Sequence, residues 1–526
     1  MSFDLSLRTV DPAVTLPYWD FTLEGERLYR LGQGPSKITE VSPLFTNAWF
    51  GSTDELSHVK DSRWAHTSAI RAIVGEKTRR NSYGYVRAPW NNARDSELIR
   101  HVTDVCGIEP ANKPIPTCFT HFSLTNITSL ASWLVNAAGN GHGPVHVNTG
   151  GVFGECSGMM SKMYDDHEDL LAQNFTVKGI SDMILATTGI DNGWVGTDVY
   201  TLKQIVTNMF HLEYFHIYRM LWRSHTCALD GQSEILQCPK SCDKNTPESE
   251  CICTCQGIDP VTRDDSEFNW ENIEPCMYVS DEDKLIAQTI MPESFRKTMI
   301  TNICSTGVKE GESLESASPA DPIFFIIHPI IDRILTAKRL AETQEIHFGE
   351  WGLVPPFESK EWLDYSFYSE ENYTCNGHGM HDAVLPNLPL PANLIKFADQ
   401  NGDGHLSNIE FWEGVDPNTN GGVDYIFDSF EWPHCDFNYS DAGSQWTGAE
   451  YESLQSSEPS FDLPGQVVPA EWSGDSLRTL MPSTIVPSQT LEEYHSDVLA
   501  YMALEGSPEA VMPGKDLRTK HGSFHR

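Results

Sequence analysis

Apolar residues recur at helical spacing in several stretches of the chain. Residues 1–10 read as the end of an amphipathic helix, with Phe3, Leu5 and Leu7 ahead of Asp11-Pro12. SLTNITSLASWLVNAAG (123–139) carries a second helical pattern, and Tyr200 to Arg223 a third, longer one. The densest apolar run is ASPADPIFFIIHPIIDRIL, residues 317–335. It predicts a helix with Pro322 in the first turn, where a missing N–H costs nothing. On that helix His328 and Asp332 are four apart and share a face. Residues 11–130 otherwise read as loops and short helices rich in Pro, Asn and Trp, and from 340 to 390 the periodicity breaks up. Residues 431–526 are acidic and rich in Ser and Pro, with one helical piece near 490–504. No internal repeat is visible.

Composition narrows the class. The 526 residues have room for more than one domain and a substantial core, and 40% hydrophobic residues argue for a globular protein. A formal charge of −38 argues against a nucleic-acid or anionic-membrane surface, since both need basic patches. No apolar run approaches the ~20 residues of a membrane span. MSFDLSLRTVDP lacks the basic start and apolar stretch of a signal peptide. Even so, the chain reads as secreted or lumenal. It has 13 cysteines, among them Cys227, Cys238, Cys242, Cys251, Cys253, Cys255 and Cys276 in one cluster. The C-x3-C and C-x-C-x-C spacings make poor zinc ribbons and favour disulfides. Four N-glycosylation sequons stand at Asn126, Asn174, Asn372 and Asn438.

Histidines supply the candidate chemistry. A lone histidine on an apolar face, such as His328, is usually a satisfied core residue. A metal on one ring nitrogen and an acceptor on the other would satisfy it equally well. GNGHGPVHVNTGGVFG (139–154) places His142 and His146 four apart, so that both can bite one ion from a single helical face. Gly143-Pro144 lies between them. Proline is tolerated only in the first turn, so His142 must stand at the very start of that helix. The alternative is a Gly/Pro-rich loop that happens to carry histidines. NMFHLEYFHIYRMLWRSHTC offers His211, His216 and His225, but on a straight helix His216 and His225 fall on opposite sides. An ordinary amphipathic core helix accounts for that segment better.

FADQNGDGHLSNIEFW fits an EF-hand loop. Asp399, Asn401, Asp403, Ser407 and Glu410 take positions 1, 3, 5, 9 and 12, Gly404 makes the sharp turn at position 6, and His405 offers its carbonyl. Oxygen donors closed by a final carboxylate suit calcium. The alternative is a solvated acidic turn. DPNTNGGVD, Asp416 to Asp424, imitates the loop as a degenerate partner at best.

Four strings, DPAVTLPYWDF (11–21), YGYVRAPWNNARDSELIRHV (83–102), GNGHGPVHVNTGGVFG and DPIFFIIHPIIDR (321–333), occur in the order in which similar strings occur in the tyrosinase, catechol oxidase and hemocyanin family. The chain therefore resembles the type 3 copper proteins over roughly residues 1–155 and 315–340. In that family two coppers, each held by three histidines, bind O2 between them. The resemblance implies His142, His146 and His328 as the ligands of the second copper. Two departures matter. Ile327 stands where many members have a histidine beside the ligand. Gly143 stands where monophenol-hydroxylating members often have a polar residue, which favours diphenol oxidation. The first copper's histidines precede the D-P-x-V-x-L-P-Y-W-D string in the family, and none precedes Asp11 here. The expectation is thus a family domain lacking its first-copper segment and holding one copper, or else a chain that has lost that copper.

The expected fold is mainly α, with a partial four-helix type 3 copper core, a disulfide-rich insertion and an EF-hand-like C-terminal region. The domains are a copper-binding domain at 1–154 and 316–365, a cysteine-rich helical insertion at 155–315, an EF-hand-like segment at 385–430 and an acidic extension at 431–526. The expected function is a copper-dependent polyphenol oxidase that turns o-diphenols into o-quinones with O2. Its partners are then a small phenol and O2, with no nucleic acid and no membrane span. The alternatives are an oxygen carrier like hemocyanin, or an inactive calcium-binding extracellular protein on a decayed copper fold.

Overall fold

The computed structural model describes residues 2–72, 80–110, 113–125, 127, 130–190, 192–223, 235–278, 280–315, 317–342, 381–384, 390–419, 427–430 and 432–435. The described residues are mainly helical, as the periodicity predicts. Their named strands form two-stranded antiparallel pairs of two or three residues. No described helix is long and apolar enough to cross a membrane. His225, Cys227, Asn126, Asn372, Asn438, most of the Asp416–Asp424 stretch and the 490–504 piece lie outside the described residues.

The chain forms two compact units. One contains Met1–Gln33, Pro116–Gly143 and the described chain from Phe325 onward. Its helix Ser2–Arg8 matches the expected N-terminal helix, and Leu16 N–H donates to Asp4 Oδ1 at 2.9 Å. The 123–139 pattern resolves into two helices, Cys118–Thr125 and Leu130–Ala138. The sequence between them is Asn-Ile-Thr-Ser, rich in side chains that compete for backbone bonds. Leu124, Trp133, Ala137 and Ile334 form the core here. Arg333 pairs with Asp20 at 3.2 Å, donates to Ser429 O at 2.7 Å and lies 4.0 Å over the Trp432 ring.

The 317–335 helix differs from its expected form. It breaks at His328 into Phe324–Ile327 and Pro329–Glu342. Pro329, not Pro322, occupies a helix's first turn. Without an N–H, Pro329 cannot continue the preceding helix. His328 instead caps the second helix, its carbonyl accepting from Ile331 N–H at 3.0 Å.

The other unit contains Gly34–Ile115 and Pro144–Phe324, and holds the largest apolar core. The expected Tyr200–Arg223 helix starts later. Val199–Thr201 is a strand paired with Asn174–Thr176, and Thr201 caps the helix Leu202–Val206 in a reciprocal box with Gln204. A wider π turn, Thr207–His211, separates it from Tyr214–Arg223. His211 is a satisfied core residue. Its Nε2–H donates to Val105 O at 2.6 Å, and its Nδ1 accepts from Tyr164 O–H at 3.1 Å. His216 rests on the buried carboxylate of Glu213. Disulfides join Cys106–Cys156, Cys238–Cys253, Cys242–Cys251 and Cys255–Cys304 in this unit and Cys118–Cys435 in the other. Cys276 is disulfide-bonded as well. The cysteine cluster is therefore a disulfide framework rather than a zinc site.

Two buried arginines of the 83–102 string bind carboxylates far along the chain. Arg87 grips Glu312, and Arg100 holds Asp321 with two bonds, 2.7 and 3.0 Å. Beside them Trp90 donates to Glu310 Oε1 at 2.9 Å, and Asn91 to Glu315 Oε1 at 2.7 Å. Of these three buried glutamates, Glu312 meets a guanidinium, whereas Glu310 and Glu315 are held by neutral donors. Glu310 Oε2 has no partner among the described residues; burial raises this carboxyl from 4.5 to about 8, and burial together with repulsion by Glu310 raises the adjoining Glu315 well above its ordinary value. The folded chain therefore keeps a proton on the Glu310–Glu315 pair that the unfolded chain sheds. Its stabilisation is complete below about pH 4.5 and is lost as pH rises through about 8, at up to about 1.4 kcal/mol per pH unit. Urea denaturation across that window will show the double substitution Glu310→Gln, Glu315→Gln flattening this fall. An unchanged slope would mean that the proton is held elsewhere.

Candidate metal centre

His142 immediately precedes the helix Gly143–Gly150, with Pro144 inside its first turn, as the spacing requires. Gly143 N–H donates to Gly139 O at 2.9 Å. A Cβ at Gly143 would lie 2.9 Å from the Ala138 carbonyl oxygen, so this close approach is built for glycine. His146 follows one helical turn later. His328 stands at the break between its two helices, and its ring centroid is 5.0 Å from that of His142, inclined 69°. His142, His146 and His328 each offer a nitrogen, and these atoms all lie within 4.8 Å of one another. The structure brings together the three histidines that the sequence singled out. Ile327, next to His328 in sequence, is fully buried.

Backbone carbonyls fix two of the rings. His142 Nδ1 is 2.6 Å from Ala137 O, and His146 Nδ1 is 2.6 Å from Ser313 O. A carbonyl only accepts, so each Nδ1 carries the hydrogen and each Nε2 the lone pair, the form in which neutral imidazole binds metals. Desolvation lowers His142 to about 4, so it is neutral at ordinary pH. Ser313 is held in turn, because Thr149 donates to its hydroxyl at 2.9 Å and Arg87 anchors the adjacent Glu312.

Sequence reasoning missed His121. It is buried in the Cys118–Thr125 helix, edge-on to Phe21, and its Nε2–H donates at 3.1 Å to Gly141 O, the residue before His142. A histidine inside the apolar CFTHFSL stretch was the available signal. Cys118, His434 and Cys435 form a second close group. Its sulfurs are joined to each other, and His434 Nε2 meets Thr22 Oγ1 at 2.8 Å, so this group offers no thiolate.

The expected cation loop runs between the helices Ala392–Ala398 and Asn408–Gly414. Asp399 accepts from Gly402 N–H at 2.7 Å and Gly404 N–H at 2.9 Å, with Gly404 at φ +82°, where glycine is favoured. Asn401 and Asp403 make similar turns onto Asp403 N–H and His405 N–H, both 2.8 Å. Glu410 accepts from Ser407 and Gln400. The loop's described pairing is with residues upstream of it: Val384 N–H donates to Leu406 O, and Asn408 N–H to Asp382 O.

Removing any one imidazole of the trio will weaken copper binding more than His121→Leu does. That substitution removes the bond that steadies Gly141 and leaves all three imidazoles and their carbonyl partners in place. Competition with a chelating dye will measure both. Equal affinities in all four variants would show that the metal binds elsewhere. No family model, curated protein or solved structure matches the chain.

Proposed function

We propose that the chain is a copper-dependent polyphenol oxidase of the tyrosinase type, oxidising o-diphenols to o-quinones with O2. The observation that carries this reading is the convergence of His142, His146 and His328, each from a string that resembles that family. The donor set fits copper, since imidazole binds it in both of its common oxidation states. Copper, when bound, supplies the electron transfer that no side chain here can. The chain's own residues hold the imidazoles as neutral ligands through Ala137 O and Ser313 O, and the Gly143 helix start leaves no side chain beside His142. That bare position favours diphenols over monophenols. Two diphenols give four electrons and four protons, which reduce one O2 to two waters. The trio accounts for one copper, and the family's second copper needs further ligands. The disulfide framework suits a secreted or lumenal protein.

The natural protein, loaded with copper, will turn catechol into quinone, and His328→Ala will lose both copper and turnover. Copper binding without turnover would favour an oxygen carrier. An inability to bind copper at all would favour a decayed fold.

The 399–410 loop is inferred to take calcium. Asp399, Asn401, Asp403, the His405 carbonyl, Ser407 and Glu410 would supply the oxygens. Calcium at about 100 times its Kd will stabilise this region by about 2.7 kcal/mol. Thermal melts will show the shift vanish in Glu410→Gln and persist in His405→Ala, which keeps the carbonyl. A shift unchanged in Glu410→Gln would place calcium elsewhere.

A further inference from the structure

We propose that Asn174 is an N-glycosylation site whose glycan covers the apolar surface of its own strand–helix–strand unit. The inference rests on the secretory reading above. Asn174-Phe175-Thr176 is a sequon with no proline at or after the middle position. Its three residues form one strand, and alternation separates their roles. Asn174 is exposed, whereas Phe175 packs against the core. Thr176 caps the helix Val177–Thr188 by accepting from Gly179 N–H at 2.9 Å. The acceptor amide therefore projects outward while its neighbours hold the fold, and a sugar on Asn174 disturbs neither.

The same unit exposes several large apolar side chains. Met183 and Leu185 on the helix, Ile190 and Val195 in the following loop and Val199 on the partner strand are all exposed, Val195 by 79% and Val199 by 59%. Val199 pairs with Thr176, and Asn174 with Thr201, so the sequon lies on the strand beside this surface. The loop returns to the helix start through Lys178 N–H to Gly196 O at 2.8 Å, which keeps these residues in one unit. Val195 and Val199, the most exposed of these, adjoin the sequon strand through the Gly196 loop and the strand pairing, and exposed apolar side chains gathered in this way favour self-association unless something covers them. A branched, hydrated sugar on the adjoining strand supplies such a cover.

In the transfer, the Asn174 amide nitrogen attacks the first sugar's anomeric carbon on a polyisoprenyl diphosphate donor. The new bond joins nitrogen to carbon, the carbon–oxygen bond to the diphosphate breaks, and the nitrogen gives up one proton. No electrons change hands.

The full chain should be produced through a eukaryotic secretory pathway and digested, with glycans released enzymatically in heavy-oxygen water. The expected result is isotopic marking of Asn174 in most molecules. Sedimentation velocity should find the glycosylated protein unchanged on concentration, and Asn174→Gln associating as it is concentrated. Glycans at Asn372 or Asn438 with none at Asn174 would overturn this proposal alone. No glycan on any sequon would overturn it together with the secretory reading. A modified Asn174 whose loss leaves association unchanged would overturn the covering role.

Discussion

The candidate centre depends first on two short bonds from imidazole to backbone. His142 Nδ1 on Ala137 O and His146 Nδ1 on Ser313 O decide which nitrogen of each ring holds a lone pair and where it points. Three histidines placed at random would spend most of their time in rotamers and tautomers unfit for one ion. Here the carbonyl partners choose the tautomer, and one helical turn sets the spacing between the two rings. His328 is positioned differently. Pro329 ends one helix and starts another, and the residue between them is held at a fixed joint.

Buried arginines support this arrangement within each unit. Arg100 and Asp321 are wholly buried and doubly bonded, and Arg87 anchors the loop that carries Ser313. Arg333 does similar work between Asp20 and Trp432. Such pairs add little net stability, because desolvation offsets their attraction. Losing one partner is costly, by about 3–5 kcal/mol, because the other charge is left buried. Their effect is to make one arrangement of distant strings far better than its neighbours. Three of the four strings that carry the family resemblance supply these arginines and two of their carboxylates, Asp20 and Asp321.

Much of the candidate site was legible in the sequence. The i,i+4 pair, the proline that forces His142 to the helix start and the lone histidine in the apolar run were all readable from local rules. So was the disulfide character of the cysteine cluster. Long-range partners were not. Nothing local says that Arg87 meets Glu312, that His146 meets the Ser313 carbonyl or that His121 meets Gly141. The helix break at His328 was readable but missed, because the apolar run outweighed Pro329 in the reading. The Tyr200–Arg223 pattern hid a strand start and a π turn, since helical periodicity does not distinguish a continuous helix from an interrupted one.

The central claim is that His142, His146 and His328 hold one copper ion. X-ray absorption on the copper-loaded protein tests it most directly. The account predicts one copper in this trio, surrounded by three imidazole nitrogens, with one imidazole lost from the shell in His328→Ala. A shell dominated by oxygen or sulfur, or one unchanged in that variant, would contradict it.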